Sequence, residues 1–225
     1  MDFFSAYRPI LMSCELFKGI QEKELRMLLQ CLDTVSVRFE KNTTVLLCGK
    51  HIEQFGLVLS GQVQIFQEDY YGNKSILAQF DTGNIFAESF AFAGIPEIPV
   101  TAWATEESII LFINSSRLLS SCRHACTFHT KLIQNMMTII ARKNILLTQK
   151  IECTSKKTIK AKLLAYLSLQ AQIAKGNHFR IPFNRQELAD FLAVDRSAMS
   201  AVLSKMADDG TIRFHKNEFE LLEQS

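Results

Sequence analysis

Three potential metal ligands or redox groups are spaced so that a helix would place them on one face. Cys122, Cys126 and His129 are separated by four and three residues, whereas His124 falls off that face. Thiolate and imidazole groups bind zinc, and an activated thiol can sense oxidation. Free cysteine is commonly core filler, so the alternative interpretation is a buried cysteine pair beside a surface histidine.

A second set of residues could contact the bases of a nucleic acid. In a helix from Arg196, the inward arc is apolar and comprises Ala198, Met199, Val202, Leu203 and Met206. The opposite arc is small and polar and carries Ser197, Ser200, Ala201 and Ser204, with Arg196 at its edge. Such a face fits a major groove about 12 Å wide and can present donors to base edges.

The flanking sequence predicts the elements that position this helix. Asn184 and Glu187 form a capping-box pattern before a helix over Arg185–Leu192, and Ala193–Asp195 is a tight turn. Two short strands around His215–Asn217 indicate a hairpin, or wing, beside the second helix. Together these features favour a winged helix-turn-helix, although such layouts also occur without DNA. Phosphate contacts are expected from Lys205, Arg213 and Lys216, and Arg185 is a further DNA-binding candidate.

Charge is distributed unevenly along the 225 residues. Residues 1–149 hold 13 basic and 14 acidic side chains, whereas residues 150–217 hold 12 basic and 6 acidic ones. The whole chain has a formal net charge of only +2. This pattern indicates a neutral sensing or scaffolding part joined to a basic part that binds a polyanion, with a merely solvated basic face as the alternative.

The first half of the chain is typical of antiparallel sheet. After a predicted amphipathic helix within residues 15–32, strands are expected at Val35–Phe39, at residues 57–66 with a turn at Ser60-Gly61, and at three later segments: Ser75–Phe80, Val100–Ala104 and Ser108–Ile113. Short strands separated by turn residues predict a sandwich or barrel-like roll.

A long helix follows, strongest over residues 128–151. A heptad seam is spaced 4, 3, 4, 3, 4 and comprises Ile133, Met137, Ile140, Asn144, Leu147 and Ile151. An adjacent stripe comprises Leu132, Met136, Ile139, Lys143 and Leu146. Two neighbouring faces predict a helix that packs on its own domain and on a second copy, with Asn144 fixing the register. One broad face in an ordinary core is the alternative.

The predicted fold class is therefore α+β. It comprises an N-terminal antiparallel β-roll over residues 1–126, a dimerisation helix over 127–152 and a winged helix-turn-helix over 153–225. Residues 152–157 are polar and are the predicted hinge, followed by a helix over Thr158–Ala174.

This order of elements resembles the Crp/Fnr family of bacterial transcription regulators over nearly the full chain. The stretches that carry the resemblance are LFKGIQEKEL (16–25), VLSGQVQIF (58–66), FDTGNIFAES (80–89), AGIPEIPVTAWA (93–104) and NRQELADFLAVDRSAMSAVLSKM (184–206). The resemblance implies that the N-terminal roll is of the cyclic-nucleotide-binding, jelly-roll type. It also implies a homodimer that reads two half-sites of double-stranded DNA about 34 Å apart, with RNA polymerase as a further partner. Allostery would pass from the roll through the long helix.

Members of the family that bind cyclic nucleotides carry a Gly-Glu pair and, on the next strand, an Arg followed by Ser or Thr. The matching positions here are Ala87-Glu88 and Val100-Thr101, so the cation that would neutralise the phosphate is missing. Cyclic AMP is therefore not expected, and Glu88 is interpreted as a structural carboxylate. A different small effector is predicted in the same cavity, near Glu88, Ser89, Val100, Thr101, Lys143 and Asn144.

Cofactors of other members are not expected either. The N-terminus carries only Cys14 where iron-sulfur members have a cysteine cluster, and no haem ligand can be placed, since His51 near Cys48 is interpreted as an exposed loop histidine. Many members have Arg where Ala201 stands, and alanine can only contact a thymine methyl group.

Several alternatives remain at this point. One is a ligand-independent regulator that responds to thiol oxidation, and another is a dimerisation module with degenerate DNA binding. An enzyme is not expected, because no Ser/His/Asp grouping, paired carboxylate or phosphate-binding Gly loop occurs. No membrane span or secretory signal is recognised and no CxxC pair occurs, so reduced thiols and a cytoplasmic location are expected.

Overall fold

A computed structural model describes residues 3–72, 74–120 and 127–222, which form two compact units that divide between Ala141 and Arg142. The first unit contains helices and strands in the order α1 (Phe3–Ser13), a 3-10 turn (Glu15–Phe17), α2 (Glu22–Cys31), β1 (Val35–Phe39), β2 (Thr44–Leu46), β3 (Gln54–Ser60), β4 (Gln62–Glu68), β5 (Lys74–Asp81), β6 (Ile85–Phe86), α3 (Glu88–Ala93), β7 (Thr101–Ala104), β8 (Ser108–Asn114) and α4 (Ser115–Leu119). Helix α5 (Thr127–Thr154) begins in this unit and ends in the second.

The second unit continues after α5 as a small helical domain with a three-stranded sheet. Its elements are α6 (Ile159–Ala174), β9 (His178–Arg180), α7 (Arg185–Leu192), α8 (Arg196–Asp208), β10 (Ile212–His215) and β11 (Glu218–Leu221). Among the described residues, none of the helices combines the length and the apolar composition that a membrane span requires.

Two four-stranded antiparallel sheets make up the roll of the first unit. Their strand orders are β1-β8-β3-β6 and β2-β7-β4-β5. Alternate residues point between the sheets and form one core cluster, which includes Val58, Ile65, Ala102 and Ile110. The predicted turn at Ser60-Gly61 is confirmed, and Gly61 adopts φ +82° there with a Cβ position blocked by the Glu107 and Ser108 backbone.

A helical layer covers the other face of the first sheet. The leucines of the predicted amphipathic helix are buried, and they join Phe55 and Leu111 of the sheet in a second core cluster. Leu132, Met136 and Ile139 of α5 belong to the same cluster. Helix α2 begins at Glu22 rather than near Glu15, because Gln21 and Glu24 form a capping box and Glu15–Phe17 make a separate 3-10 turn.

Helix α6, the α7–α8 pair and the hairpin surround the core of the second unit. Three N-caps accept backbone hydrogen bonds through their side chains: Thr158 before α6, Asn184 before α7 and Asp195 before α8. The predicted bounds of α7 are confirmed, as is the second helix from Arg196. Strand β9 adds to the hairpin and makes a three-stranded sheet in the order β10-β11-β9.

Tyr166 is the largest side chain in this core and carries an unusual polar group. Its ring packs against Phe183 and Phe191, with centroid distances of 6.0 and 5.3 Å. The hydroxyl is buried and has no hydrogen-bond partner among the residues that the structure describes. Burial, with Cys153 nearby, raises the pKa of the Tyr166 phenol well above its ordinary value.

We expect Tyr166→Phe to stabilise the chain by about 1 kcal/mol, because an unsatisfied buried hydroxyl is removed while the ring packing is kept. Urea unfolding of the two proteins measures the difference. Tyr71→Phe is the matched control, since the Tyr71 side chain is exposed and its hydroxyl stays hydrated in both states. A loss of stability in Tyr166→Phe would show that the hydroxyl has a partner and that this description of the core is wrong.

Candidate nucleic-acid interface and sensor site

Helix α8 presents the small polar face that its sequence predicts. Met199, Leu203 and Met206 are buried in the core of the second unit. The side chains at the opposite arc are exposed, with Ser200 partly covered: Arg196, Ser197, Ser200, Ala201, Ser204 and Lys205. Asp195 Oδ1 accepts the Ala198 N–H at 2.8 Å and fixes the start of the helix, where the exposed arginine lies.

Two lysines of α6 hold the ends of the helix-turn-helix. Lys162 Nζ donates to the carbonyl oxygens of Leu192 and Ala193 at 3.1 and 3.3 Å, at the C-terminal end of α7. Lys160 Nζ lies 2.8 Å from Asp209 Oδ2, just after α8. The hydrogen bond from Lys160, followed by that from Thr211, lowers the pKa of Asp209 to about 2. Neither lysine could be assigned a role from the sequence, because both contacts join residues far apart in the chain.

The hairpin after α8 confirms the predicted wing. Strands β10 and β11 pair in antiparallel register, and Lys216 occupies the turn with φ +53°. Lys216 is exposed. Arg213 is also exposed, and its Nη1 lies 3.5 Å from Glu220 Oε2 on the facing strand. Two of the three predicted phosphate-contact residues thus lie on one hairpin, Lys216 at the turn and Arg213 in an exposed ion pair.

Arg185 has a different environment from the other DNA-binding candidates. Its guanidinium carbon lies 4.8 Å from the Phe214 ring centroid and 5.2 Å from that of Phe219, both on the wing. Phe219 stacks in turn on Phe179 of β9. Partial burial lowers the pKa of Arg185. This arginine therefore connects α7 to the wing through a cation–π contact.

Helix α5 carries an exposed apolar surface in each unit. In the first unit, Leu132 and Met136 are buried whereas Met137 of the heptad seam is more than half exposed. In the second unit Leu147 and Ile151 of the seam are exposed to a similar degree, as are Ile145 and Leu146. Of the adjacent stripe, Leu132, Met136 and Ile139 are buried, whereas Leu146 is exposed. Ile133 and Ile140 are partly buried, and Asn144 is exposed.

The predicted effector residues of the first unit lie around the start of α3. Glu88 is buried and accepts a hydrogen bond from the hydroxyl of the exposed Ser89 at 3.4 Å. Val100 is buried and apolar, directly before β7. Thr101 Oγ1 accepts the Cys48 N–H at 3.3 Å. The roll thus encloses the carboxylate of Glu88 and the apolar side chain of Val100.

The other two predicted effector residues, Lys143 and Asn144, belong to the second unit. The Thr148 hydroxyl donates to the Asn144 carbonyl oxygen at 3.0 Å and reaches its side-chain Oδ1 at 3.4 Å. Lys143 is partly buried.

Ala87 stands at the N-cap of α3 in a left-handed conformation, with φ +62° and ψ 6°. A left-handed alanine is disfavoured by roughly 1–2 kcal/mol relative to glycine. We expect Ala87→Gly to raise the free energy of unfolding by about 1 kcal/mol, measured by urea denaturation. Ala91→Gly, inside the same helix, is the control and should lower it by a similar amount. Equal destabilisation by both substitutions would show that the left-handed backbone at Ala87 is not strained.

The thiol and imidazole cluster is only partly within the described residues, because Cys122, His124 and Cys126 lie outside them. His129 is buried, which corrects the interpretation of a surface histidine: helix α4 covers it, and its Nε2 donates to the Leu118 carbonyl at 2.8 Å. Its Nδ1 has no partner in the described ranges. No group of three or more His, Cys, Asp or Glu side chains in those ranges could hold a metal ion.

Comparisons with known proteins match both units of the chain. Residues 36–124 match the cyclic nucleotide-binding domain model, and residues 161–224 match the Crp-like helix-turn-helix domain model. No curated protein sequence matches the chain.

Three solved structures are similar in fold. DNR from Pseudomonas aeruginosa is 23% identical, covering 100% of this chain and 97% of that one, with a TM-score of 0.51. The c-di-GMP responsive regulator CLP of Xanthomonas campestris is 17% identical over 88% and 98% of the two chains, with a TM-score of 0.52. CprK complexed with OCPA is 14% identical over 90% and 92%, with a TM-score of 0.61.

A β-roll of the cyclic-nucleotide-binding type, a long helix and a winged helix-turn-helix define a DNA-binding transcription regulator with a cyclic-nucleotide-binding-like domain. The order and the matched models are those of one family. The chain belongs to the Crp/Fnr family of transcription regulators.

Proposed function

We propose that the chain is a homodimeric, sequence-specific DNA-binding regulator whose roll responds to a small effector other than cyclic AMP. The observation that carries the proposal is the exposed arc of α8, whose small polar side chains follow Arg196 while the opposite arc is buried. A helix with this slim surface can enter the major groove and present donors to base edges. The basic surplus of the second unit supplies the attraction to phosphates.

The residues divide into two groups of DNA contacts. Arg196, Ser197 and Ser200 are proposed to read base edges, with Ala201 against a thymine methyl group and Ser204 further along the same arc. Lys205, Arg213 and Lys216 are proposed to contact phosphates, which fixes the register of the helix but carries no sequence information. Arg185 is proposed to contribute to the interface through the wing, because its guanidinium lies over the Phe214 and Phe219 rings.

Self-association is proposed through the exposed seam of α5. Leucine and isoleucine side chains in contact with water are disfavoured, and here they recur at heptad spacing on a helix of 28 residues. A second copy of the same helix would cover them in both chains at once, since a two-fold interface uses the same patch twice. The resulting pair of α8 helices suits a near-palindromic operator.

The missing cation supports an effector other than cyclic AMP. A phosphate placed beside buried Val100 would have no positive side chain at the position where the family resemblance implies arginine. Two proteins of similar fold, the c-di-GMP responsive CLP and CprK complexed with OCPA, support the proposal of a ligand other than cyclic AMP. Neither an iron-sulfur cluster nor haem is proposed as a cofactor, and no catalytic activity is proposed. RNA polymerase is proposed as a further protein partner, and the proposed location is the cytoplasm.

The proposed function is tested by selecting bound fragments from genomic DNA with the purified full-length chain. We expect a shared near-palindromic motif, and an affinity that falls steeply between 50 and 200 mM salt, a window in which phosphate contacts are screened. Mass spectrometry of the purified chain identifies any retained effector, and titration with cyclic AMP should leave DNA affinity unchanged. Recovery of random fragments only would contradict sequence-specific binding, and a response to reductant without any ligand would favour the thiol-responsive alternative.

A further inference from the structure

The roll contains a cleft at the edge formed by β1, β8 and the β2–β3 connection, away from the residues around α3. Its volume is about 560 Å³, within the range of small-molecule sites. The lining residues are Val35, Val37, Leu46, His51, Ile52, Glu53, Gln54, Phe112 and Asn114. None of these is among the predicted effector residues, so the cleft is a separate candidate site.

One side of the cleft is apolar. Val35 of β1 faces Phe112 of β8 in the strand register, and Leu46 of the second sheet and Ile52 complete the wall. Phe112 is buried, and its ring packs edge to face against the Phe39 ring with 6.2 Å between the ring centroids. This contact holds the Phe112 ring in position. Val35, in contrast, is about half exposed. A hydrocarbon or aromatic group that covers these side chains would remove apolar surface from water, which is favourable.

The β2–β3 connection contributes hydrogen-bond acceptors and a negative charge to the lining of the cleft. His51 Nδ1 lies 3.2 Å from the Ile95 carbonyl oxygen, and a carbonyl only accepts, so Nδ1 carries the proton. In the neutral ring Nε2 is then an acceptor, and it lies 3.8 Å from Glu53 Oε1. His51 Nε2 and the Glu53 carboxylate therefore lie close together, and both are matched by a group that is positive and carries several N–H donors.

We propose that this cleft binds a primary amine attached to a compact apolar body, such as an aromatic ring on a short chain. The ammonium group donates to Glu53 and to His51 Nε2, and the apolar body covers Val35, Val37 and Phe112. A carboxylic acid of the same shape is rejected, because its charge would face that of Glu53. The site goes beyond the proposed DNA-binding function and does not depend on it.

The experiment titrates the full-length chain with 3-phenylpropylamine, followed by isothermal calorimetry and by NMR shifts of backbone amides near Asn114. We expect saturable binding with a Kd of about 0.1–1 mM, which is ordinary for a probe of this size. 3-Phenylpropanoic acid, which shares the apolar body, should bind at least tenfold more weakly. Absence of saturable amine binding below 10 mM, or equal binding of amine and acid, would overturn the proposal.

Two variants with matched controls locate the site. Glu53→Gln should weaken amine binding about tenfold, whereas Glu40→Gln, which removes an equal charge from an exposed turn outside the cleft, should leave it unchanged. Val35→Lys should abolish binding, whereas Ser36→Lys on the other face of β1 should not. The variant and control sites are solvent-accessible, so circular dichroism should show intact folds. Equal effects of either variant and its control would overturn the assignment to this cleft.

Discussion

Leu147→Glu is expected to weaken self-association of the chain by about 3–6 kcal/mol, because a symmetric dimer loses two buried leucines and would gain two buried carboxylates. Leu147 is 61% exposed in the single chain, so the substitution should leave the fold intact. Sedimentation should show a monomer at concentrations where the parent chain is dimeric. Operator affinity should fall with it, since one recognition helix alone contacts only one half-site.

Ile173→Glu is the matched control for this prediction. Ile173 lies on α6, outside the heptad seam, and is 63% exposed. The substitution removes an equally exposed branched side chain and adds the same charge, but it does so outside the seam, so the dimer should persist. A dimer that survives Leu147→Glu, or dissociates equally in Ile173→Glu, would contradict the assignment of the seam.

Arg196→Ala is expected to reduce operator affinity by about 1–3 kcal/mol per half-site and to relax specificity at one base pair. Arg196 is exposed at the first turn of α8, beside the N-cap that fixes the direction of the helix. Its loss removes a bidentate donor without changing the core. Binding to a panel of operators, each substituted at one base pair, measures both effects.

Arg180→Ala supplies the charge control, because it removes one exposed cation of the same unit from outside α7 and α8. Its effect should be smaller and equal on all operators. If Arg196→Ala also weakens every operator equally and lowers the salt dependence by about one counterion, Arg196 contacts a phosphate instead of a base.

The regular elements could be predicted because their signals are local. Capping residues at Asn184 and Asp195 stand immediately before the helices they begin, so the bounds of α7 and the start of α8 followed from the sequence. Strand β1 alternates apolar and polar residues over Val35–Phe39, and β8 is an apolar run between polar ends; both patterns are typical of strands. Strands β2 and β6 contain three and two residues, which are too few to show a period, and they were not predicted from the sequence. Helix α1, with an internal Pro9, was also not predicted.

The exposed arc of α8 could be predicted for the same reason, since helical spacing alone divides its two sides. Contacts between distant residues could not. Arg185 lies over aromatic rings of the wing, and Lys162 reaches the end of α7, through a tertiary arrangement that no local pattern encodes. The burial of His129 depends likewise on α4 folding over it. The cleft beside Val35 combines residues from four strands and a connection, which only the folded sheets bring together.

Hydroxyl-radical footprinting of the full-length chain on a selected operator tests the central claim most directly. Two α8 helices of a symmetric dimer should protect two equivalent backbone patches whose centres are about 34 Å, one helical turn, apart. Leu147→Glu should remove both patches together, and Arg196→Ala should reduce them without moving them. A single asymmetric patch, or protection that is unchanged when the exposed arc of α8 is substituted, would contradict the placement of this helix in the groove.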